Sequence, residues 1–420
     1  VTATTPPAPG VTAGGRRPAA WHGWRIVAAF AVTQTAGYGC LYYAFAVLLH
    51  PIAAGLHTST TAVTGAVTTA LLASAATAVP AGRWLDRHGG RALMTTGSLA
   101  GATLLAACSQ VRAVWQLYAV FLGLGAAMAL ALYEPATAVI VSWFDPARRP
   151  RALLGMIVVA GFASTVFMPL TGVLEHRYGW RATLLVLAAG YAAVAVPLHG
   201  LVVRRPPAPA GSGGTGAGPS TVDRGAAVRA ALRDGRFWCL AVAFVAHGAA
   251  MSAMTVHLVG FLVAAGHPAT FAATVAGLLG VLSVTGRLAL TGAQRRLPLH
   301  RVVAAVFTVQ AVAAAGLPFA GASRAGAVVA VTGFGLGFGI ASLATPALLA
   351  ERYGTAAYAS IAGTLAAPVT LAKAGAPLGA AALYTMTGSS TPVLLTIGAA
   401  GLVAAAGILA LTPSRPISEH

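Results

Sequence analysis

Lysine is almost absent from this 420-residue chain: of its 26 lysine and arginine residues, Lys373 alone is a lysine. Acidic residues are nearly as scarce, eight in all, and charged residues make up 8% of the sequence. A soluble globular domain carries about 25% charged residues, so this composition excludes one. With 57% hydrophobic residues, the chain reads as an integral, polytopic membrane protein. The three cysteines, Cys40, Cys108 and Cys239, all fall in apolar stretches and offer no disulfide framework. Also missing are a Gly-rich phosphate loop with its lysine, a His-Glu-x-x-His helix and a Gly-x-Ser-x-Gly elbow. Without a catalytic constellation the chain is read as a non-enzyme that needs no cofactor or metal, and no nucleotide-binding domain is present to drive transport by ATP. The surplus of basic residues, +18 overall, does not point to nucleic acid, because the arginines are dispersed between apolar spans. The first 20 residues lack the apolar core and cleavage site of a signal peptide.

Twelve apolar spans cover most of the chain: residues 24–49, 59–82, 92–109, 114–142, 152–174, 181–203, 237–264, 269–292, 300–320, 326–350, 356–384 and 391–411. Each approaches or exceeds the length of about 17–25 residues that a crossing helix needs, the third marginally. Helices are expected because lipid cannot satisfy backbone polar groups, and the alternation of a membrane barrel is absent. With the N-terminus inside, 20 basic residues fall on cytoplasmic segments and four outside (Arg112, Arg177, Arg181 and Arg324). This bias predicts both termini in the cytoplasm. A Pro/Gly/Ser-rich stretch within 204–236 divides the spans six and six and reads as a flexible linker, whose second half, 223–236, can form a short basic surface helix. The expected organisation is a disordered tail over 1–20, a six-helix lobe over 21–203, a linker over 204–236, a second six-helix lobe over 237–411 and a tail over 412–420.

The loop after the second span reads Gly82-Arg83-Trp84-Leu85-Asp86-Arg87-His88-Gly89-Gly90-Arg91. Gly82 permits close helix approach, Asp86 can accept charge-assisted bonds from helix ends or basic side chains, and Gly89 permits a tight turn. This loop resembles the signature loop of the major facilitator superfamily, and the resemblance implies twelve helices in two lobes, with Gly82, Asp86, Arg87, Gly89 and Arg91 at a cytoplasmic gate. The corresponding loop of the second half, Gly292 to Arg296, has no acid, which puts a matching second latch in doubt. Trp143-Phe144, followed by Arg148-Arg149-Pro150-Arg151 and Ala160-Gly161, resembles the fifth-span signature of the monocarboxylate transporter family and adds Arg148 to the gate. Trp21-His22-Gly23-Trp24-Arg25 resembles the start of that family's first span, without the acid usual there. For both aromatic and basic clusters, interfacial anchoring is the plainer alternative.

Two cations lie inside spans. Lys373 is roughly 25 Å along the eleventh span from residue 356, near the middle of the bilayer, where a cation costs about 2.5–3.5 kcal/mol and is by default a functional candidate. Arg287 sits in the eighth span, about 12 Å from Arg295, and either reaches the cavity or snorkels to the cytoplasmic side. Both resemble the span-eight arginine and span-eleven lysine of the oxalate–formate exchanger family, and the resemblance implies that they hold a substrate carboxylate. Glu134, in Tyr133-Glu134-Pro135, is the one acid clearly within a span. It either carries a coupling proton, pairs with an arginine as a gate, or neutralises Lys373. Gln34, Tyr38 and Tyr42, spaced four apart, share one helical face that either lines a cavity or packs against span five. His247 and His257 do not have metal-ligand spacing; they are read as hydrogen-bonded packing residues, with proton transfer or substrate contact as the alternative and His247 the candidate for substrate contact. The drug-exporter signature of the fifth span is incomplete, since Pro169 and Gly172 lack its spacing.

The expectation is an all-α, multi-pass transporter of a bacterial plasma membrane. It moves a small organic anion, a mono- or dicarboxylate, by alternating access with a proton or counter-anion, and works as a monomer. Its partners are substrate and lipid. Export of a drug-like compound or secondary metabolite is the alternative.

Overall fold

The computed structural model describes residues 16–206 and 221–411. Most of the expected N-terminal tail (1–15), the middle of the linker (207–220) and the last nine residues lie outside the described residues. The first helix begins at Arg16, inside the stretch expected to lack structure.

Twelve spans follow, in two lobes of six. Span 1 runs through Arg16–Tyr38, a π-helical turn Gly39–Tyr43 and Ala44–Gly55. Spans 2 and 3 are Thr60–His88 and Gly90–Cys108. Span 4 is broken into Val114–Ala131 and Tyr133–Trp143. Span 5 begins as Arg149–Ala160 and continues into Ala163–Val202, which also contains span 6; Gly179, with φ +73°, separates the two. A linker helix, Thr221–Arg233, precedes span 7 at Gly235–Ala264. Spans 8 and 9 are Ala269–Ala293 and Leu299–Ala320. Span 10 is broken into Arg324–Gly335 and Ala341–Tyr353, and spans 11 and 12 are Tyr358–Thr387 and Ser390–Leu409. Nine described helices are by themselves long and apolar enough to cross a membrane. One of these holds spans 5 and 6 together, and two spans are not among the nine: span 3, Gly90–Cys108, and span 10, whose two pieces are each short.

The described start of span 1, the end of span 6, the linker helix Thr221–Arg233 and the end of span 12 share one end of the bundle, here called the linker end. There a single apolar core joins both lobes, with Phe30, Val139 and Met156 from the first and Phe244, Leu343 and Ile361 from the second. Toward the other end each lobe has its own core, one around Phe45, Phe121 and Tyr191 and one around Met254, Leu279 and Ile397. The lobes are therefore closed on each other at the linker end and part toward the far end. The cross-lobe contacts include those of spans 2 and 11, 5 and 8, 5 and 10, 4 and 11, and 4 and 10. Lipid offers no hydrophobic drive for helix association, so small residues and backbone approach carry it. A Cβ on Gly82 would overlap the Ala359 carbonyl, and one on Gly363 the Ala78 carbonyl.

Asp234 caps the start of span 7 and ties it to the end of span 10. Its carboxylate accepts the Arg236 amide at 3.0 Å, Arg352 Nε at 3.3 Å and the Tyr353 hydroxyl at 3.0 Å. Burial pushes this carboxyl up, but the three bonds and the Arg352 charge outweigh it and hold it below the usual carboxylate value. A carboxyl depressed in the folded state stabilises above its ordinary value and loses that contribution as pH falls through the folded one. In acid, hydrogen exchange at the first turn of span 7, corrected for intrinsic rate, is expected to rise in the wild type. In Asp234→Ala it is expected to be raised already at neutral pH and to change little; an unchanged exchange rate in that variant would show that the cap does not hold the helix end.

Candidate functional site

Span 4 breaks where its sequence removes a donor. Pro135 has no N–H, so the carbonyl of Ala131, four residues earlier, has no intrahelical partner. Gln34 Nε2 of span 1 donates to it at 2.9 Å, the chain turns at Leu132 (φ −92°, ψ −147°) and a new helix starts at Tyr133 with Glu134 in its first turn. A carboxylate there is favoured by the positive end of the helix dipole. The break sets Glu134 in the middle of the bundle, where its side chain is exposed. Gln34, by contrast, is 0% exposed. In this conformation the missing proline donor recruits Gln34 into packing between spans 1 and 4.

The even spacing expected of Gln34, Tyr38 and Tyr42 is interrupted by the π turn Gly39–Tyr43, whose wider turn shifts the register of the helix. Tyr42 and Tyr43, adjacent in sequence, have ring centroids 5.2 Å apart, and both lie near Tyr38, at 6.4 Å and 6.5 Å. Tyr133, at the break in span 4, completes the group 4.5 Å from Tyr38. Four phenol rings thus cluster on the first lobe beside Glu134. Tyr43 and Tyr133 are additions to the sequence-based set; the proline two residues after Tyr133 was the signal for the latter.

The second lobe supplies the cations. Arg287 does not snorkel: it is 9% exposed, and its Nε donates to the Gly339 carbonyl at 3.2 Å. That carbonyl is available because span 10 is interrupted at residues 336–340, next to Gly335 and Gly337. One terminal nitrogen of Arg287 lies beside Gly161 of span 5, and its charge interacts with Tyr133 and Tyr43 across the lobes. Lys373 stands midway along span 11 with an exposed side chain. Its stem rests on Gly248 of span 7, where an added Cβ would be 3.3 Å from both Cε and Cγ. Its charge interacts with Glu134, but among the described residues the ion pairs are Arg148–Asp145 and Arg352–Asp234, so Lys373 and Glu134 do not neutralise each other by contact. His247 is buried and stacks on Phe307 at 4.2 Å. Of the two readings of His247, its placement here matches packing, within electrostatic range of Lys373. His257 hydrogen bonds with the Pro377 carbonyl at 3.0 Å.

At the linker end, Asp86 accepts the amides of Ala359 at 3.0 Å and Ser360 at 2.7 Å. One carboxylate from the first lobe thus satisfies two orphan N–H groups at the start of span 11 in the second. Gly89 has φ +81°, and the Arg87 carbonyl accepts from Arg205 at 2.6 Å. The side chains of Arg87 and Arg91 are exposed. Arg148 is exposed as well, 3.9 Å from Asp145. Its neighbour Arg149 is the buried one, donating to the carbonyls of Val141 and Phe144 at 3.3 Å and 3.2 Å, with its charge interacting with Tyr358 of span 11. Of the two arginines, the structure places Arg149 in the closed end; sequence spacing did not separate them.

A sequence model described as the Major Facilitator Superfamily matches residues 31–377. No curated protein sequence matches the chain. Among solved structures, the E. coli fucose:proton symporter superposes with a TM-score of 0.72 at 13% identity, over 92% of this chain and 98% of that one. A second structure of that kind, in an outward conformation, gives 0.72 at 15%, over 92% and 99%. The human organic anion transporter TETRAN gives 0.68 at 15%, over 91% and 99%. At these identities the likeness is one of fold.

Proposed function

The chain belongs to the major facilitator superfamily and is thus a multi-pass membrane transporter rather than an enzyme, and on that premise we propose that it carries a small organic anion, a mono- or dicarboxylate, by alternating access. One observation carries the reading: Lys373 is an exposed residue midway along a span and, among the described residues, forms no ion pair. An intramembrane cation without a counter-charge in contact is costly, and an anionic substrate removes that cost. Arg287 commits only its Nε to protein, which leaves its terminal nitrogens for a carboxylate. The site residues in this reading are Arg287 and Lys373, with Tyr38 and Tyr42 as hydroxyl donors and apolar surface in the ring cluster whose other members, Tyr43 and Tyr133, interact with the Arg287 charge.

Glu134 lies within electrostatic range of Lys373. Protonating it raises the net charge beside the anion and favours binding, which couples proton to substrate; exchange for a second anion uses the same site with Glu134 ionised throughout. The linker end is cytoplasmic by the arginine bias, so the conformation described opens outward, and the protein works as a monomer in a bacterial plasma membrane. The resemblance to the monocarboxylate transporter and oxalate–formate exchanger families supports the substrate class. The solved relatives do not choose, since their names include both a sugar symporter and an organic anion transporter. Export of a bulkier drug-like compound is the second reading, favoured by the ring faces of the tyrosine cluster.

The test is uptake and counterflow of labelled mono- and dicarboxylates in proteoliposomes, with and without an inward proton gradient. Carboxylate flux is expected; a proton gradient that accelerates it assigns symport, and counterflow without one assigns exchange. Movement of a hydrophobic dye with no carboxylate flux would overturn the proposal in favour of the second reading.

A further inference from the structure

Prolines inside the spans leave a carbonyl four residues earlier without its helical donor. At two of them, a side chain from another span fills the gap. The first is Pro135, where Gln34 donates to Ala131. The second is Pro377, and the carbonyl it leaves open is that of Lys373 itself. The hydroxyl of Ser252, in span 7, donates to that carbonyl at 2.6 Å. Among the described residues, no other proline inside a helix has a side chain of a different span on the corresponding carbonyl. The two clamped positions are the ones that carry the intramembrane acid and the intramembrane lysine. Both clamps come from the first helix of their lobe, span 1 and span 7.

Span 7 holds this stretch of span 11 at three successive levels. Gly248 receives the Lys373 stem, Ser252, one turn on, holds its carbonyl, and His257 reaches the carbonyl of Pro377. We propose that Ser252 is a positioning residue for Lys373: its hydroxyl supplies the donor that Pro377 lacks and so determines where the lone ammonium stands between the lobes. Its consequence for substrate affinity rests on the anion reading above; its effect on Lys373 does not.

Because Lys373 is the single lysine, its ε-amine can be followed without mutating any other residue. The experiment measures two quantities on purified, reconstituted protein. One is the acetylation rate of Lys373 by a water-soluble anhydride, resolved by mass spectrometry. The other is the half-saturating concentration for carboxylate counterflow. Threonine and valine at position 252 have the same shape, and only threonine donates. Ser252→Thr is expected to match the wild type in both quantities. Ser252→Val is expected to change the acetylation rate and to raise the half-saturating concentration about tenfold, with the maximal rate little altered; tenfold corresponds to about 1.4 kcal/mol, within the range that one intramolecular hydrogen bond contributes. Pro377→Ala returns the N–H to the helix, and on that background Ser252→Val is expected to add nothing. Equal behaviour of the threonine and valine variants, or an undiminished valine effect beside Pro377→Ala, would overturn the proposal. If the wild type moves no carboxylate while acetylation still separates threonine from valine, the anion reading fails and the positioning role stands.

Discussion

Lys373→Ala is expected to abolish carboxylate counterflow, lowering the specificity for substrate by a factor of about 30 to several thousand, the range that corresponds to losing one partner of a desolvated charge pair at about 2–5 kcal/mol. The alternative cause of such a loss, failure to insert or fold, is countered by the physics of the site. Removing a cation from the bilayer centre makes insertion easier by about 2.5–3.5 kcal/mol, and alanine is compatible with a helix already rich in it. The variant is therefore expected to reach the membrane in normal amount with its transport gone. Lys373→Arg keeps the charge but replaces a compact ammonium with a planar fork, and Arg287 already supplies one fork. A small fraction of wild-type flux is expected from it. Flux that survives Lys373→Ala at the wild-type half-saturating concentration would remove Lys373 from the substrate site and leave it a structural curiosity on the Gly248 groove.

The second large effect concerns closure of the linker end. Asp86 alone satisfies the amides of both Ala359 and Ser360. Asp86→Ala leaves two donors unpaired at the first turn of span 11, each bond to a charged group contributing about 1.5–3 kcal/mol. Opening that end hydrates the donors, so the variant shifts the population toward the open arrangement. Gly82→Val acts on the same contact by a different route, since its side chain would have to displace the Ala359 carbonyl. A cysteine placed at Leu365, which is 1% exposed within the shared core, reports the change on a background lacking the three native cysteines. Thiol labelling from the linker side is expected to be slow with Asp86 intact and to quicken at least tenfold, about 1.4 kcal/mol of population shift, with either substitution. Labelling that stays slow in both would mean that packing along spans 2 and 11 closes this end without help from the carboxylate.

How far the site could be read in advance differs from residue to residue. Lys373 and Glu134 were conspicuous because a charge in the middle of an apolar span has few innocent explanations. Arg287 was ambiguous for a reason that is purely geometric: a guanidinium close to a span end can turn either to the interface or inward. The choice was made by the Gly339 carbonyl, which is free only because span 10 unwinds more than 50 residues away. Gln34 and the tyrosines were grouped by a period that holds for a regular helix, and the π turn at Gly39–Tyr43 is not a regular helix. Arg148 and Arg149 are indistinguishable by composition, and only tertiary packing, which turns Arg149 onto the carbonyls at the end of span 4, decides which one is buried.

What the chain's sequence determined by itself is what depends on local composition: twelve crossing segments, their division into two lobes, and the uneven placement of arginine between their ends. These follow from the cost of placing polar groups in lipid, which each segment meets on its own. The tertiary structure alone decided which ruptured carbonyls are mended, and by what. Pro135 and Pro377 each announce a missing donor in the sequence, but the donors that answer, Gln34 and Ser252, stand 97 and 121 positions from the carbonyls they serve. A hydrogen bond between helices depends on side-chain direction and helix register, and both are set only when the spans pack.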